Sequence, residues 1–129
     1  MERFVNVCVV CVGSALGGGA RYLVYLWAVS RGWTAFPWAT LIVNVAGCFF
    51  IMVVATIAAS VTVSTNLRLF LTTGIMGGLT TYSTFDYETT RLFQDGAAAT
   101  ALLNVGGTLI ACFVAGLLGI AFARVFVGP

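Results

Sequence analysis

The chain has 129 residues, 60% of them hydrophobic and 8% charged, with a mean hydropathy of +1.06. A soluble domain carries about 25% charged residues, so ten charged side chains cannot wet this surface and the solvent has to be a bilayer. Six Arg, no Lys and no His leave a net charge of +2, too small and scattered for a nucleic-acid footprint, and the hydrophobicity excludes disorder.

A hydrocarbon core of about 30 Å takes roughly 20 apolar residues per helix. The chain, residues 1-129, therefore holds a single domain of four spans with almost nothing outside the membrane. Spans are helices or closed barrels, because lipid offers backbone groups no partner. The alternation of a barrel strand is absent, so the expected class is an all-α membrane protein.

The first run extends over 4-29. A secretory signal is its alternative reading, since Met-Glu-Arg precedes an apolar stretch with small residues from Ser14 to Ala20. Arg21 and the aromatic stretch Tyr22 to Trp27 follow directly, which suits a helix that stays in the fold. Cys8 and Cys11 form a C-x-x-C. Without His or a second pair they read as small buried hydrophobes, not as zinc or redox ligands.

After Ser30-Arg31-Gly32 and Pro37, the second run covers 37-61 and carries Asn44. Ser64-Thr65-Asn66 then leads into the third run, 67-93. Its centre, from Gly74 to Phe85, places Gly77-Gly78 and five hydroxyl-bearing residues at mid-membrane depth, a poor fit to a continuous helix. A broken helix survives there where its freed backbone lines an ion path, and its carbonyls can bind a cation. A kinked helix whose hydroxyls bond back one turn is the alternative. Tyr82 and Phe85 share a face, and an aromatic edge turned into a pore is a weak anion contact. Asp86 and Glu88 call for a solvated vestibule or an Arg partner.

Gln94-Asp95-Gly96 separates the fourth run, 97-127, where Asn104, Thr108 and Cys112 fall at i, i+4, i+8. With Asn44, Ser83 and Thr84 this stripe suggests a track of N–H and O–H donors for a small hard anion, with Arg21 concentrating anions in a vestibule off the narrow path. Small-residue patches at Gly13 and Gly17, and at Gly116 and Gly119, suit close packing with a second copy or within one subunit.

Residues Gly17-Gly18-Gly19-Ala20-Arg21-Tyr22, Thr40-Leu41-Ile42-Val43-Asn44-Val45-Ala46-Gly47 and Gly74 to Phe85, with Glu88 following, closely resemble the Fluc/CrcB fluoride channels, in order and across all four spans. The resemblance implies a fluoride-selective channel of the cell inner membrane that passively exports fluoride and is not an enzyme. It implies an antiparallel, dual-topology homodimer with two pores and a structural sodium ion at its centre, held by backbone carbonyls of Gly77 and Thr80. It further implies Asn44 as the pore amide, Tyr82 and Phe85 as pore aromatics, and Ser83 and Thr84 as adjacent hydroxyls. Thr108 and Cys112 become the fourth-span track, and Arg21 and Glu88 the vestibule charges. Two departures stand out: Tyr82 where Phe is usual, and Asn104, Thr108, Cys112 where relatives tend to begin with Tyr and continue with Ser.

Two other classes compete. A proton-coupled small multidrug exporter needs a titratable carboxylate deep in the first span, which has none. A purely structural membrane protein gives a polar, Gly-broken third helix no role.

Arg3, Arg68 and Arg124 fall on one side of a four-span topology, and Arg21, Arg31 and Arg91 on the other. Basic residues set orientation; three charges a side is either too small a sample to carry a signal, or it marks insertion both ways round and an antiparallel homodimer. On the second reading reporters at the C-terminus should read both orientations in cells, and two Lys added there should bias insertion and reduce assembly. A single orientation in the native chain excludes an antiparallel pair.

Overall fold

A computed structural model describes residues 1–128, all helix and connection, with no strand among them. Helix α1 spans Glu2–Ser30 and α2 spans Trp38–Ser60. The third run divides into α3 (Thr65–Leu69), a π-helical stretch (Phe70–Met76), α4 (Gly77–Leu79) and α5 (Tyr82–Gln94), and α6 covers Ala98–Val127. Helices α1, α2 and α6 are each long and apolar enough to cross a membrane. This is a multi-pass helical membrane protein.

The connections follow the local chemistry of their residues. At the end of α1, Gly32 takes φ 72°, which lets the Trp33 and Gly32 amides donate to the Ala28 and Val29 carbonyls. Gly96 repeats the arrangement after α5, with φ 78° and the amides of Ala97 and Gly96 donating to Leu92 and Phe93. Both are glycine-terminated ends in which a left-handed residue satisfies carbonyls the helix leaves open. At the start of α3, the Ser64 hydroxyl accepts from the Leu67 amide at 3.3 Å, an N-cap.

The chain packs small residues inward and large ones outward. The buried face of α6 is Ala101, Asn104, Thr108, Ala115, Gly119 and Ala123, while Leu102, Leu103, Ile110 and Phe113 point away. Lipid offers no hydrophobic drive to bury leucine, so close backbone approach and polar contacts hold such helices together. Helix α2 lies along α6, where a side chain on Gly119 would meet the Phe49 carbonyl.

Helix α1 seats on the third run in the same way. A Cβ on Gly13 would stand 2.7 Å from the Phe70 carbonyl oxygen and 2.8 Å from the Gly74 Cα, and one on Gly17 would run into the Ile75 carbonyl. Gly78 answers from the other side, where a Cβ would stand 2.5 Å from the Ser14 carbonyl oxygen. The patches at Gly13, Gly17 and Gly119 thus serve packing within the chain. Cys8 and Cys11 differ from expectation: both lie on the outer face of α1 and are exposed, because Gly13 and Gly17 set which face turns inward.

Gly17→Leu should therefore lower the stability of the detergent-solubilised protein by at least about 1–3 kcal/mol, the range for overpacking, read from thermal unfolding. Gly19→Ala, whose added carbon meets nothing within 4 Å, should not. Equal effects at both positions would show that α1 does not seat through Gly17.

Candidate functional site: a cavity at the Thr80–Thr81 bend

Helical dihedrals stop at Leu79. Thr80 (φ −78°, ψ 155°) and Thr81 (φ −153°, ψ 121°) are extended, and α5 begins at Tyr82. The glycine pair does not do the bending: Gly77 is helical (φ −63°, ψ −36°), and Gly78 is small because α1 crosses there. The departure is held by side chains. The Asn44 amide nitrogen donates to the Thr81 carbonyl at 3.1 Å and its oxygen accepts from the Thr81 amide at 2.8 Å, gripping one peptide unit from both sides.

That grip diverts a donor. In a continuous helix the Thr81 amide would bond to the Gly77 carbonyl, four residues back, but it is taken by Asn44. The Thr84 amide, which would serve the Thr80 carbonyl, bonds instead to the Thr81 hydroxyl at 3.2 Å, capping α5. The carbonyls of Gly77 and Thr80 have thus both lost their helical donors. Thr80 itself is anchored backwards, its amide and hydroxyl donating to the Met76 carbonyl at 3.0 and 2.8 Å. Gly47 makes room for the Thr80 methyl, which any side chain there would strike.

A cavity of about 550 Å³ opens beside this bend, lined among others by Asn44, Thr80, Tyr82, Phe85, Thr108 and Cys112. Four helical segments contribute: α2, the third run before the bend, α5 and α6. Phe85 is buried at 8% exposure and Tyr82 stands out from the chain at 77%, with their ring centroids 5.6 Å apart. Asn44 spends one amide N–H on Thr81 and keeps its second.

The remaining expected residues fall elsewhere. Asn104 is not on the cavity wall: it is 1% exposed, its amide donating to the Thr89 hydroxyl at 2.9 Å and its oxygen accepting from Thr108 at 3.2 Å. Thr89 passes the chain on to the Phe85 carbonyl at 2.7 Å. The polar stripe of α6 therefore fastens α5 at its Asn104 end and faces the cavity at its Thr108 and Cys112 end. Ser83 is exposed, its hydroxyl 3.4 Å from that of Thr81. Thr84 accepts from the Thr81 hydroxyl at 3.0 Å and faces a second cavity, of about 470 Å³, that also holds Arg21, Thr40 and Glu88. Arg21 and Glu88 thus share one polar recess separate from the aromatic pair.

Sequence reasoning missed Gly47, Thr81 and Thr89. The Thr81-Tyr82-Ser83-Thr84 order carried an N-cap signal, and Thr89 lies one turn after Phe85, where a hydroxyl reaches the carbonyl behind it. Gly47 had no local signal, because its reason is Thr80 on another element.

The fold and cavity define a multi-spanning helical membrane protein with a mostly apolar recess, into which a few amide, hydroxyl and aromatic side chains converge, beside the Thr80–Thr81 bend. The chain belongs to the family described as CrcB-like protein, Camphor Resistance (CrcB), whose model matches residues 8–120. It is 49% identical over 118 residues to the fluoride-specific ion channel FluC of Anaeromyxobacter sp. (strain K), spanning 88% of this chain and 94% of that one. The protein of the same name from Sorangium cellulosum (strain So ce56) is 45% identical over 114 residues, covering 88% and 90%. That from Geobacter metallireducens is 40% identical over 121, covering 93% and 98%.

Because Asn44 holds both polar ends of the Thr81 peptide, Asn44→Ala should cost about 1–3 kcal/mol and raise amide exchange at Thr81. Unchanged exchange there would mean that the bend is held by something other than the amide.

Proposed function

We propose that the chain is a fluoride channel, conducting fluoride passively out of the cell through the cavity at the Thr80–Thr81 bend. The observation that carries this reading is the convergence of Asn44, Tyr82, Phe85 and Thr108 on one recess, in a chain whose relatives of nearly equal length bear that name. The lining is neutral. It offers one amide N–H, the hydroxyls of Thr73 and Tyr82 and two aromatic rings, while those of Thr80, Thr81 and Thr108 already donate within the protein, and a small anion passes along such weak serial contacts without being trapped. Arg21, in the neighbouring recess, draws anions toward the entrance while remaining off the narrow path.

The reading includes an antiparallel homodimer. Tyr82 stands out from one subunit, and a pore wall needs something on its far side; a second copy supplies it. The third run crosses the bilayer as two halves meeting at the bend. Residues 65–79 and α5 are each about 20 Å long at 1.5 Å per residue, too short alone for a core of about 30 Å.

A sodium ion at the dimer centre fits the residues present. Hard cations take oxygen ligands, and unwound backbone carbonyls in transporters coordinate Na⁺. The carbonyls of Gly77 and Thr80 have lost their helical donors to Asn44 and Thr81. The ion would supply the positive charge that these two dipoles lack, bridging the subunits. Coupled export is disfavoured by α1, whose one acid, Glu2, is its first residue.

Fluoride efflux from liposomes, followed with a fluoride electrode against a chloride control, tests the reading. Phe85→Ile keeps apolar volume but loses the ring edge, and should reduce flux at least about a hundredfold, given roughly 2.7 kcal/mol for a lost anion contact. Tyr82→Phe deletes only a hydroxyl and should still conduct. If Tyr82→Phe silences the protein while Phe85→Ile conducts, the phenol carries the contact. If the native protein passes no fluoride, the channel reading is wrong. Size-exclusion profiles must match throughout, since a collapsed assembly mimics a closed pore.

A further inference from the structure

We propose that Cys48 and Cys112 form a two-thiolate site for a soft divalent metal ion, mercury(II) being the type, that links α2 to α6 within one chain. Both cysteines are free and half-buried, and each lines two cavities. One is the 550 Å³ recess at the bend, through which an ion can reach both sulfurs; the other is a smaller space of about 290 Å³. Binding a metal there requires neither fluoride nor a second copy, so the inference stands independently of which ion crosses.

The pair is brought together by the packing of α2 on α6. Gly116 lies one turn after Cys112, and a Cβ on it would stand 3.9 Å from the Cys48 carbonyl oxygen and 3.5 Å from Cγ of Met52. With no side chain there the two helices approach closely, and the Cys112 thiol comes into direct contact with that of Cys48. At roughly 2.3 Å per metal–thiolate bond, a linear bridge holds its sulfurs about 4.6 Å apart. Neighbouring thiols reach that separation by side-chain rotation alone.

The donors select the ion. The smaller cavity presents Cys48, Met52 and Cys112 among Ile51, Phe113 and Leu117, sulfur and hydrocarbon with no side-chain oxygen. Hard cations, which need several oxygen ligands, are poorly served there, whereas soft ions prefer thiolate and thioether. Structural zinc takes four ligands, and among the described residues no three of His, Cys, Asp and Glu stand together. Mercury(II) is satisfied by two thiolates in line.

Charge decides among the soft ions. Each thiol gives up its proton as it binds: two S–H bonds break, two S–Hg bonds form, and two protons leave to solvent. Two thiolates and one divalent ion make a neutral bridge, whereas silver(I) or copper(I) would leave a net negative charge. Both cysteines lie well inside helices long and apolar enough to cross a membrane, where an unpaired charge is expensive. The neutral product is the one this depth tolerates.

The test adds mercury(II) chloride to the detergent-solubilised full chain carrying Cys8→Ala and Cys11→Ala, which removes the exposed thiols of α1. Intact-mass spectrometry should show one mercury gained and two protons lost per chain, and thermal unfolding should move to higher temperature because the folded state alone holds the two sulfurs together. The metal should survive excess 2-mercaptoethanol. Cys48→Ser or Cys112→Ser in the same background should lower that retention at least about a hundredfold, since a second tethered ligand strengthens binding by roughly 10²–10⁴. Scoring only the monodisperse size-exclusion peak keeps an unfolded variant from imitating a lost site, and the unfolding shift with both thiols present needs no serine variant. Retention unchanged by either serine, a mercury-linked mass of two chains, or binding without a rise in unfolding temperature overturns the assignment.

Discussion

The structure turns on one amide. Asn44 bonds both the N–H and the carbonyl of Thr81, and everything distinctive about the third run follows from that pair. A bare peptide unit at membrane depth would cost several kcal/mol because lipid offers it no partner. Supplying both partners from α2 lets the chain leave helical geometry there without that cost. The same contact takes the Thr81 N–H away from Gly77, and the Thr81 hydroxyl, turned into an N-cap, takes the Thr84 N–H away from Thr80. Two side chains, Asn44 on a neighbouring helix and Thr81 at the bend itself, thus leave two carbonyls without helical donors.

Around this bend the chain is built on inverted packing. Its interior is Ala, Gly, Thr and Asn with Val43 and Phe85, and its outside is Leu, Ile, Phe and Val. The glycines of α1 and of the third run interlock so closely that a single methyl at Gly13, Gly17 or Gly78 would collide with backbone. Such contacts are rigid because backbone cannot move aside as a flexible side chain does. They hold residues 70–79 against α1 and so fix where the bend falls.

The polar residues of α6 divide their labour by depth. Asn104 is closed into a chain running from Thr108 through Thr89 to the Phe85 carbonyl, which anchors α5 and hence the ring of Phe85. Thr108 and Cys112, one and two turns further on, face the cavity. The partition is a matter of geometry: α5 packs against the N-terminal part of α6 and leaves the next turns open.

Much was legible in the residues themselves. Composition specified a bilayer solvent and an all-α class, because hydropathy is a local property. Asn44, Tyr82, Phe85, Thr108 and Cys112 were recognisable as a set, since polar groups in lipid need partners. Their assembly was not. Helical spacing put Asn104 in line with Thr108 and Cys112, but only the packing of α5 closed it off from the cavity. The Gly77-Gly78 pair drew attention as a breaking point, yet its smallness serves the crossing of α1, and the extended residues are the threonines that follow. Cys8 and Cys11 read as core and lie outside, because which face of α1 turns inward depends on the glycines that meet another helix. A sequence states what each residue can do, whereas contact between distant segments decides which of those capacities is used.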